Sequence, residues 1–148
     1  MTDIQNSKLL EILVIDDDPK SRELLEDLII AKGLNVTTAV DGQEGIKKHI
    51  ERFSVGNPYD AVFTDFKMPN ADGAEVTKNV KGTSLKTPVY IFTSHDADEL
   101  SKELDVQLGQ LKPDGIIRKP LDINLIRNII DEIKLGVVKA ENTPTYQS

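Results

Sequence analysis

The chain contains no cysteine among its 148 residues. Disulfides, thiolate zinc sites and cysteine nucleophiles are therefore excluded. No apolar run is long enough to span a bilayer, and the polar residues 1–8 lack the hydrophobic region of a signal peptide. Basic side chains are outnumbered by acidic ones, 18 to 25, which gives a formal net charge of -7. This balance argues against generic binding to nucleic acids or anionic membranes, and we expect a cytoplasmic protein.

The composition is that of one ordinary globular domain. Hydrophobic residues make up 39% of the chain and charged residues 29%, and 148 residues can bury one substantial core but not two. We place the folded domain at residues 9–135, after an N-terminal extension at residues 1–8. Residues 136–148 are polar and lack hydrophobic periodicity, so we predict a mobile C-terminal tail.

Short apolar runs alternate with helical patterns along the domain. Each run has the length and β-branched content of a buried strand, and each is followed by a segment with helical spacing of apolar residues. Such alternation predicts parallel strands with right-handed crossovers and helices on both faces of the sheet. A closed eight-fold barrel needs far more residues, so we predict an open, doubly wound α/β sheet. The predicted strands are residues 11–15, 35–40, 59–64, 88–92 and 115–118.

Several side chains have an expected structural role. Asp18 followed by Pro19 is typical of a helix N-terminus, since Asp accepts a hydrogen bond from the first turn and Pro lacks only a free N–H there. The stripe of leucines from Leu100 to Leu111 predicts core packing. We expect His49 on an exposed helix face and His95 in a loop.

Polar side chains follow four of the predicted strands. Asp16 and Asp17 come directly after the first strand, Asp65 after the third, Thr93 after the fourth and Lys119 after the fifth. Because the carboxyl ends of parallel strands share one edge of an open sheet, ligands bind there. These residues are therefore expected to meet in one acidic pocket.

The chemistry of that pocket points to phosphoryl transfer. Two carboxylates about 4 Å apart repel by ~4 kcal/mol at an effective dielectric constant of 20, so the acids need a cation or a proton. Carboxylate oxygens without His or Cys favour magnesium or manganese. With the Lys119 ammonium and the Thr93 hydroxyl beside them, the acids fit transfer of a phosphoryl group onto an aspartate.

On these residues the sequence closely resembles the receiver domain of two-component response regulators, over roughly residues 11–135. Each shared motif is weak alone, but all occur in the same order and at strand ends. The motifs are Ile15-Asp16-Asp17-Asp18, Asp65-Phe66-Lys67-Met68-Pro69 with Asp72-Gly73, Pro88-Val89 through Thr93-Ser94, and Asp114-Gly115 through Lys119-Pro120.

The resemblance implies a flavodoxin-like fold with five parallel strands in the order 2-1-3-4-5. It implies that Asp65 accepts a phosphoryl group from a histidine kinase or a histidine phosphotransfer protein, and that Thr93 and Lys119 contact the phosphoryl oxygens. It also implies that Mg²⁺ is bound by Asp16, Asp17, Asp65 and the backbone carbonyl of Lys67. Such a protein is a phosphoacceptor rather than an enzyme, with magnesium-dependent self-phosphorylation and autodephosphorylation.

The resemblance also shapes the expected partners. We expect a stand-alone receiver that acts by docking to an unknown downstream protein or by passing the phosphoryl group onward. We expect no nucleic acid or membrane binding, and a monomer or a weak dimer linked to phosphorylation. In similar proteins the surface that is read lies on the fourth helix, fifth strand and fifth helix. The family usually has an aromatic residue three positions before the lysine, where this chain has Ile116.

Two other functions are consistent with parts of the pattern. A phosphatase of the haloacid-dehalogenase type also forms an aspartyl-phosphate on a doubly wound sheet, but Asp16-Asp17-Asp18-Pro19 lacks the continuation typical of that family. Steady turnover of a phosphate ester would favour the enzyme. A degenerate receiver that acts only as a scaffold is the other alternative, and the intact set of site residues argues against it.

Overall fold

The computed structural model describes residues 9–136 and 143–147. Within these residues, strands and helices alternate from the first strand to the fifth helix, and a short strand follows. The strands are β1 (Glu11–Ile15), β2 (Asn35–Ala39), β3 (Ala61–Asp65), β4 (Val89–Thr93), β5 (Gly115–Arg118) and β6 (Thr145–Tyr146). The helices are α1 (Pro19–Ala31), α2 (Gly42–Ser54), α3 (Gly73–Thr83), α4 (Ala97–Leu108) and α5 (Ile123–Leu135), with a 3₁₀ turn at Gly109–Leu111.

The strands form one parallel sheet in the order β2-β1-β3-β4-β5-β6. This arrangement confirms the predicted doubly wound α/β fold. Alternate residues of a strand face opposite sides: in β1, Ile12 and Val14 pack on one side, and Leu13 and Ile15 on the other. Both faces are buried, as is typical of strands covered by helices on both sides.

Helices α1 and α5 cover one face of the sheet, and α2, α3 and α4 cover the other. α1 and α5 pack through Leu25, Ile29, Ile126 and Ile130 against one face. On the other face, α3 packs through Val76 and Val80, and α4 through Leu100 and Leu104. The predicted core role of the leucine stripe is confirmed for Leu100 and Leu104, which are buried.

Each of the helices α1 to α5 begins with an aspartate cap. The Asp18 carboxylate accepts a hydrogen bond from the Lys20 N–H, which confirms the role predicted for it. The other caps are Asp41, Asp72, Asp96 and Asp122. Each carboxylate satisfies backbone N–H groups that have no partner inside the helix. Among the described residues, no helix combines the length and apolar character needed to cross a membrane.

The sixth strand lies in the predicted tail. Thr145 and Tyr146 pair in parallel with Ile116 and Ile117, and the Tyr146 side chain packs against the core beside α5. The sequence predicted only the first five strands, because a two-residue strand is too short to show periodicity. The domain boundaries and the mobility of the tail remain predictions, and residues 1–8, 137–142 and 148 lie outside the described residues.

The expectation for His49 was wrong. Its side chain is fully buried between α2 and α3. Its Nε2 atom lies 2.7 Å from the Thr83 hydroxyl oxygen, and its ring stacks on Phe53. Nδ1 has no hydrogen-bond partner among the described residues. The helical spacing of α2 placed His49 beside apolar positions, and the packing of α3 against α2 covers it.

Burial lowers the pKa of the His49 imidazole below its ordinary value of 6.5. The unfolded chain therefore binds more protons at this residue than the folded chain as the pH falls. The stability contributed by neutral His49 is fully present above pH 6.5 and is lost as the pH falls toward the lowered folded pKa. We expect the free energy of unfolding to fall more between pH 7.5 and about pH 5 in the wild type than in His49→Leu.

Urea unfolding at several pH values measures this difference. His95→Leu is the control, because the His95 side chain is exposed, and it should follow the wild type. Parallel pH curves for the wild type and His49→Leu would contradict the expectation.

Candidate functional site

Three carboxylates meet at the carboxyl ends of β1 and β3. Oxygen atoms of Asp16, Asp17 and Asp65 lie within 4.8 Å of one another. Asp16 is buried, Asp65 is partly buried and Asp17 is exposed. The sheet brings them together because β1 and β3 are hydrogen-bonded neighbours, with Ile15 opposite Thr64. The acidic cluster predicted from the strand ends is therefore present.

The Lys119 ammonium lies between two of these acids. Its Nζ atom is 3.2 Å from Asp65 Oδ1 and 3.4 Å from Asp16 Oδ2. Lys119 follows β5, and its backbone N–H donates to the Thr93 carbonyl at the end of β4. The same edge of the sheet thus holds the lysine, Thr93 and the acids, as their positions after the strands predicted.

Burial raises the pKa of the Asp65 carboxyl to about 6. The Lys119 charge acts in the opposite direction, and the Asp16 charge adds to the increase. Desolvation likewise raises the pKa of Asp16. Burial alone would lower the pKa of Lys119, but the charges of Asp16 and Asp65 outweigh it and the pKa is raised. At neutral pH the site therefore holds a protonated lysine and a mostly ionised Asp65. Because its pKa is raised, the Asp65 carboxylate is more basic than an ordinary one.

The backbone around Asp16 fixes its orientation. The Asp18 N–H donates to Asp16 Oδ1 over 2.9 Å, and Arg22 Nη1 donates to the Asp16 carbonyl oxygen over 2.8 Å. One carboxylate oxygen is thus held by the loop, while Oδ2 faces Lys119. Arg22 was not predicted as part of the site. It lies one turn into α1, and its side chain reaches back to the Asp16 carbonyl in the preceding loop.

Thr93 is buried at the end of β4. Its hydroxyl oxygen accepts a hydrogen bond from the His95 N–H over 3.0 Å. The hydroxyl thereby organises the loop at residues 94–96, which leads into α4. His95 itself is exposed in that loop, as expected.

The loop after Asp65 folds back closely on the strand. The Gly73 N–H donates to the Phe66 carbonyl over 2.6 Å. A Cβ atom at Gly73 would lie 2.8 Å from the Asp65 carbonyl oxygen and 2.9 Å from Phe66 Cα. Only glycine fits this approach without displacing the backbone beside Asp65. Lys67 lies on the same loop with an exposed side chain, and the role of its carbonyl remains a prediction.

The donor set fits a hard divalent cation. The atoms that converge are carboxylate oxygens, and Mg²⁺ is bound in proteins by one or two carboxylates together with water and phosphate oxygens. The exposure of Asp17 leaves one side of the cluster open to solvent. Asp16, Asp17 and Asp65 could therefore hold magnesium beside Lys119.

This chain belongs to the response regulator receiver domain family, whose model matches residues 12–131. The predicted family is thus confirmed. The probable chemotaxis protein CheY of Rhizobium etli is 28% identical over 132 residues, which cover 88% of this chain and 95% of that protein. The osmosensing histidine protein kinase SLN1 of Saccharomyces cerevisiae is 29% identical over 132 residues, but the match covers only 10% of its length.

A solved structure agrees on the fold. The CheX-CheY-BeF3-Mg+2 complex from Borrelia burgdorferi contains a chain that superposes with a TM-score of 0.73. The match covers 92% of this chain and 95% of that chain at 23% sequence identity. At this level of identity the likeness concerns the fold.

Proposed function

We propose that this chain is a phosphoacceptor in a histidine-to-aspartate phosphorelay, with Asp65 as the residue that is phosphorylated. The observation that carries the proposal is the position of Lys119 Nζ, 3.2 Å from Asp65 and 3.4 Å from Asp16. An ammonium held between two acids at an open edge is placed to contact a phosphoryl group attached to one of them. Membership of the receiver family supports the same function.

The transfer step needs little from the protein beyond positioning and charge. An Asp65 carboxylate oxygen attacks the phosphorus atom, a new P–O bond forms, and the bond from phosphorus to the donor breaks. The donor, a phosphohistidine or a small phosphorylated compound, leaves with the electron pair. Lys119 and the Thr93 hydroxyl donate hydrogen bonds to the phosphoryl oxygens and stabilise their charge.

Magnesium is the proposed cofactor, and manganese is the alternative. Asp16, Asp17 and Asp65 would hold the ion with the Lys67 carbonyl. When bound, the ion would neutralise charge on the carboxylates and the phosphoryl oxygens. In its absence, repulsion between the acids and the arriving phosphoryl group opposes transfer. Phosphorylation is therefore expected to depend on the divalent cation.

The proposed donors are a histidine kinase or a histidine phosphotransfer protein, and the proposed receiver of the signal is another protein. The match to SLN1, a protein named as a histidine kinase, supports a place in such a relay. The net charge of -7 supports protein partners rather than nucleic acid or anionic membrane. We further propose a cytoplasmic protein that is a monomer, or a weak dimer when phosphorylated.

Replacing Asp65 by asparagine is expected to abolish phosphorylation. Wild-type protein incubated with magnesium and phosphoramidate should gain the mass of one phosphoryl group, because the carboxylate is the nucleophile and an amide is not. Intact-mass spectrometry measures the gain. Chelation of magnesium should prevent it in the wild type.

Asp105→Asn is the matched control, since Asp105 is exposed near the C-terminal end of α4, whereas the site lies before the first turn of that helix. It should label like the wild type. Undiminished labelling of Asp65→Asn would refute the assignment of the acceptor. Steady release of phosphate from an ester, with no labelled protein, would instead favour the phosphatase alternative.

A further inference from the structure

The C-terminal segment, residues 143–147, occupies the outer edge of β5. The Ile116 N–H donates to the Pro144 carbonyl over 2.9 Å, and the Thr143 hydroxyl donates to the Pro113 carbonyl over 3.0 Å. Thr145 lies opposite Ile116 in the parallel ladder. The edge of β5 thus binds an extended peptide, and in this structure that peptide is the chain's own C-terminal segment.

The same segment also binds the first turn of α4. The Gln147 side chain accepts a hydrogen bond from the Ala97 N–H over 3.3 Å and donates one to Asp96 Oδ1 over 3.0 Å. The Thr145 hydroxyl donates to Asp98 Oδ1 over 2.5 Å. Asp96 is the N-cap of α4 and also accepts from the Glu99 N–H. The C-terminal segment therefore stabilises one particular arrangement of the loop that begins α4.

That loop starts at Thr93. The Thr93 hydroxyl oxygen accepts from the His95 N–H, and Asp96 follows directly. A phosphoryl group on Asp65 would offer acceptor oxygens to the hydrogen of the Thr93 hydroxyl. If the hydroxyl turned toward the phosphoryl oxygens, the His95 N–H would lose its acceptor, and residues 94–96 would rearrange. In the present arrangement Gln147 binds residues 96 and 97 and Thr145 binds Asp98, so a rearrangement of the loop would disturb these contacts.

We propose that the edge of β5 and the first turn of α4 form a binding surface for an extended segment, which residues 143–147 occupy until Asp65 is phosphorylated. Phosphorylation weakens their binding through Thr93 and the loop at residues 94–96. The inference rests on the proposed phosphorylation of Asp65. Release would free the backbone edge of β5, which can pair with an extended strand of a partner protein.

The coupling must act in both directions. If a phosphoryl group at Asp65 weakens binding of the C-terminal segment, loss of that segment's binding must increase the equilibrium affinity of the site for a phosphoryl mimic by the same factor. Beryllofluoride with magnesium is a phosphoryl mimic that binds at equilibrium, so its affinity reports the coupling. Thr145→Val and Gln147→Ala remove side-chain hydrogen bonds to α4 without touching the site of phosphorylation.

The expected results are an exchange effect and an affinity effect. Amide hydrogen exchange at Ile116 should become about tenfold faster when the wild type binds beryllofluoride, because the loss of one or two hydrogen bonds corresponds to about that factor. The amide of Val62, in the centre of the sheet, is the internal reference. Thr145→Val and Gln147→Ala should show the faster exchange without the mimic. They should also bind the mimic more tightly than the wild type.

Tyr146→Phe is the matched control. It keeps the packed ring in the same strand, and its exchange and affinity should equal those of the wild type. If the wild type does not bind the mimic at all, the proposed function is refuted. If it binds, but Ile116 exchange is unchanged and all variants have equal affinity, the function stands and this inference is overturned.

Discussion

Replacing Lys119 by methionine is expected to slow phosphorylation of Asp65 by about 10²–10³-fold, the usual cost of removing one charge-stabilising donor from a reacting centre. Methionine keeps the length of the side chain but removes the ammonium that lies 3.2 Å from Asp65. The positive charge also holds down the pKa of Asp65, so its loss should leave less carboxylate at neutral pH. The initial rate of labelling by phosphoramidate with magnesium, followed by intact mass, measures the effect.

Lys102→Met provides the matched control, because Lys102 is exposed on α4. Its labelling rate should be that of the wild type. A Lys119→Met rate within about threefold of the wild-type rate would show that the ammonium contributes little, since the loss of one strong donor corresponds to a much larger factor.

Gly73→Ala is expected to destabilise the protein by about 1–3 kcal/mol, the typical cost of forcing an added methyl into a packed position. The new Cβ atom would lie 2.8 Å from the Asp65 carbonyl oxygen, and a backbone atom cannot rotate away as a side chain could. Relief requires movement of the loop that carries Phe66 and Lys67. Phosphorylation of Asp65 should therefore slow as well, and urea unfolding and labelling rates test the two effects.

Gly82→Ala in the same helix is the control for this change. A Cβ atom at Gly82 meets nothing within 4 Å, and alanine is a better helix former than glycine by up to about 1 kcal/mol. The control is expected to be more stable than the wild type and to label normally. Equal stability of the two variants would contradict the steric explanation.

Strand ends were the most predictable part of the site. Asp16, Asp65, Thr93 and Lys119 each follow a buried apolar run, and in a parallel sheet those positions must share an edge. The sheet topology therefore brings the acids and the lysine close together, and the alternation of strands and helices in the sequence predicts that topology. The cap role of Asp18 was predictable for a similar reason, because it depends on local sequence.

Features that depend on distant packing were not predictable. His49 lies beside apolar residues of α2, but its burial results from α3 and Thr83, more than thirty residues away in sequence. The residues next to Gly73 in the sequence do not indicate that the Asp65 carbonyl oxygen lies so close to it. The pairing of Thr145 with Ile116 depends on the exact position of the edge of β5. It was not predictable, because a short polar segment has no sequence pattern that indicates such pairing.

The covered edge of β5 also bears on self-association. An open strand presents unpaired N–H and C=O groups, which other molecules can use to extend their own sheets. Pro144 already accepts from the Ile116 N–H, and the Tyr146 ring covers part of the adjoining core. A chain shortened at Gly136 would lose this cover and leave β5 as a bare edge. We expect aggregation of the shortened chain at high concentration to begin at this edge, since an unpaired strand is a template for pairing between molecules.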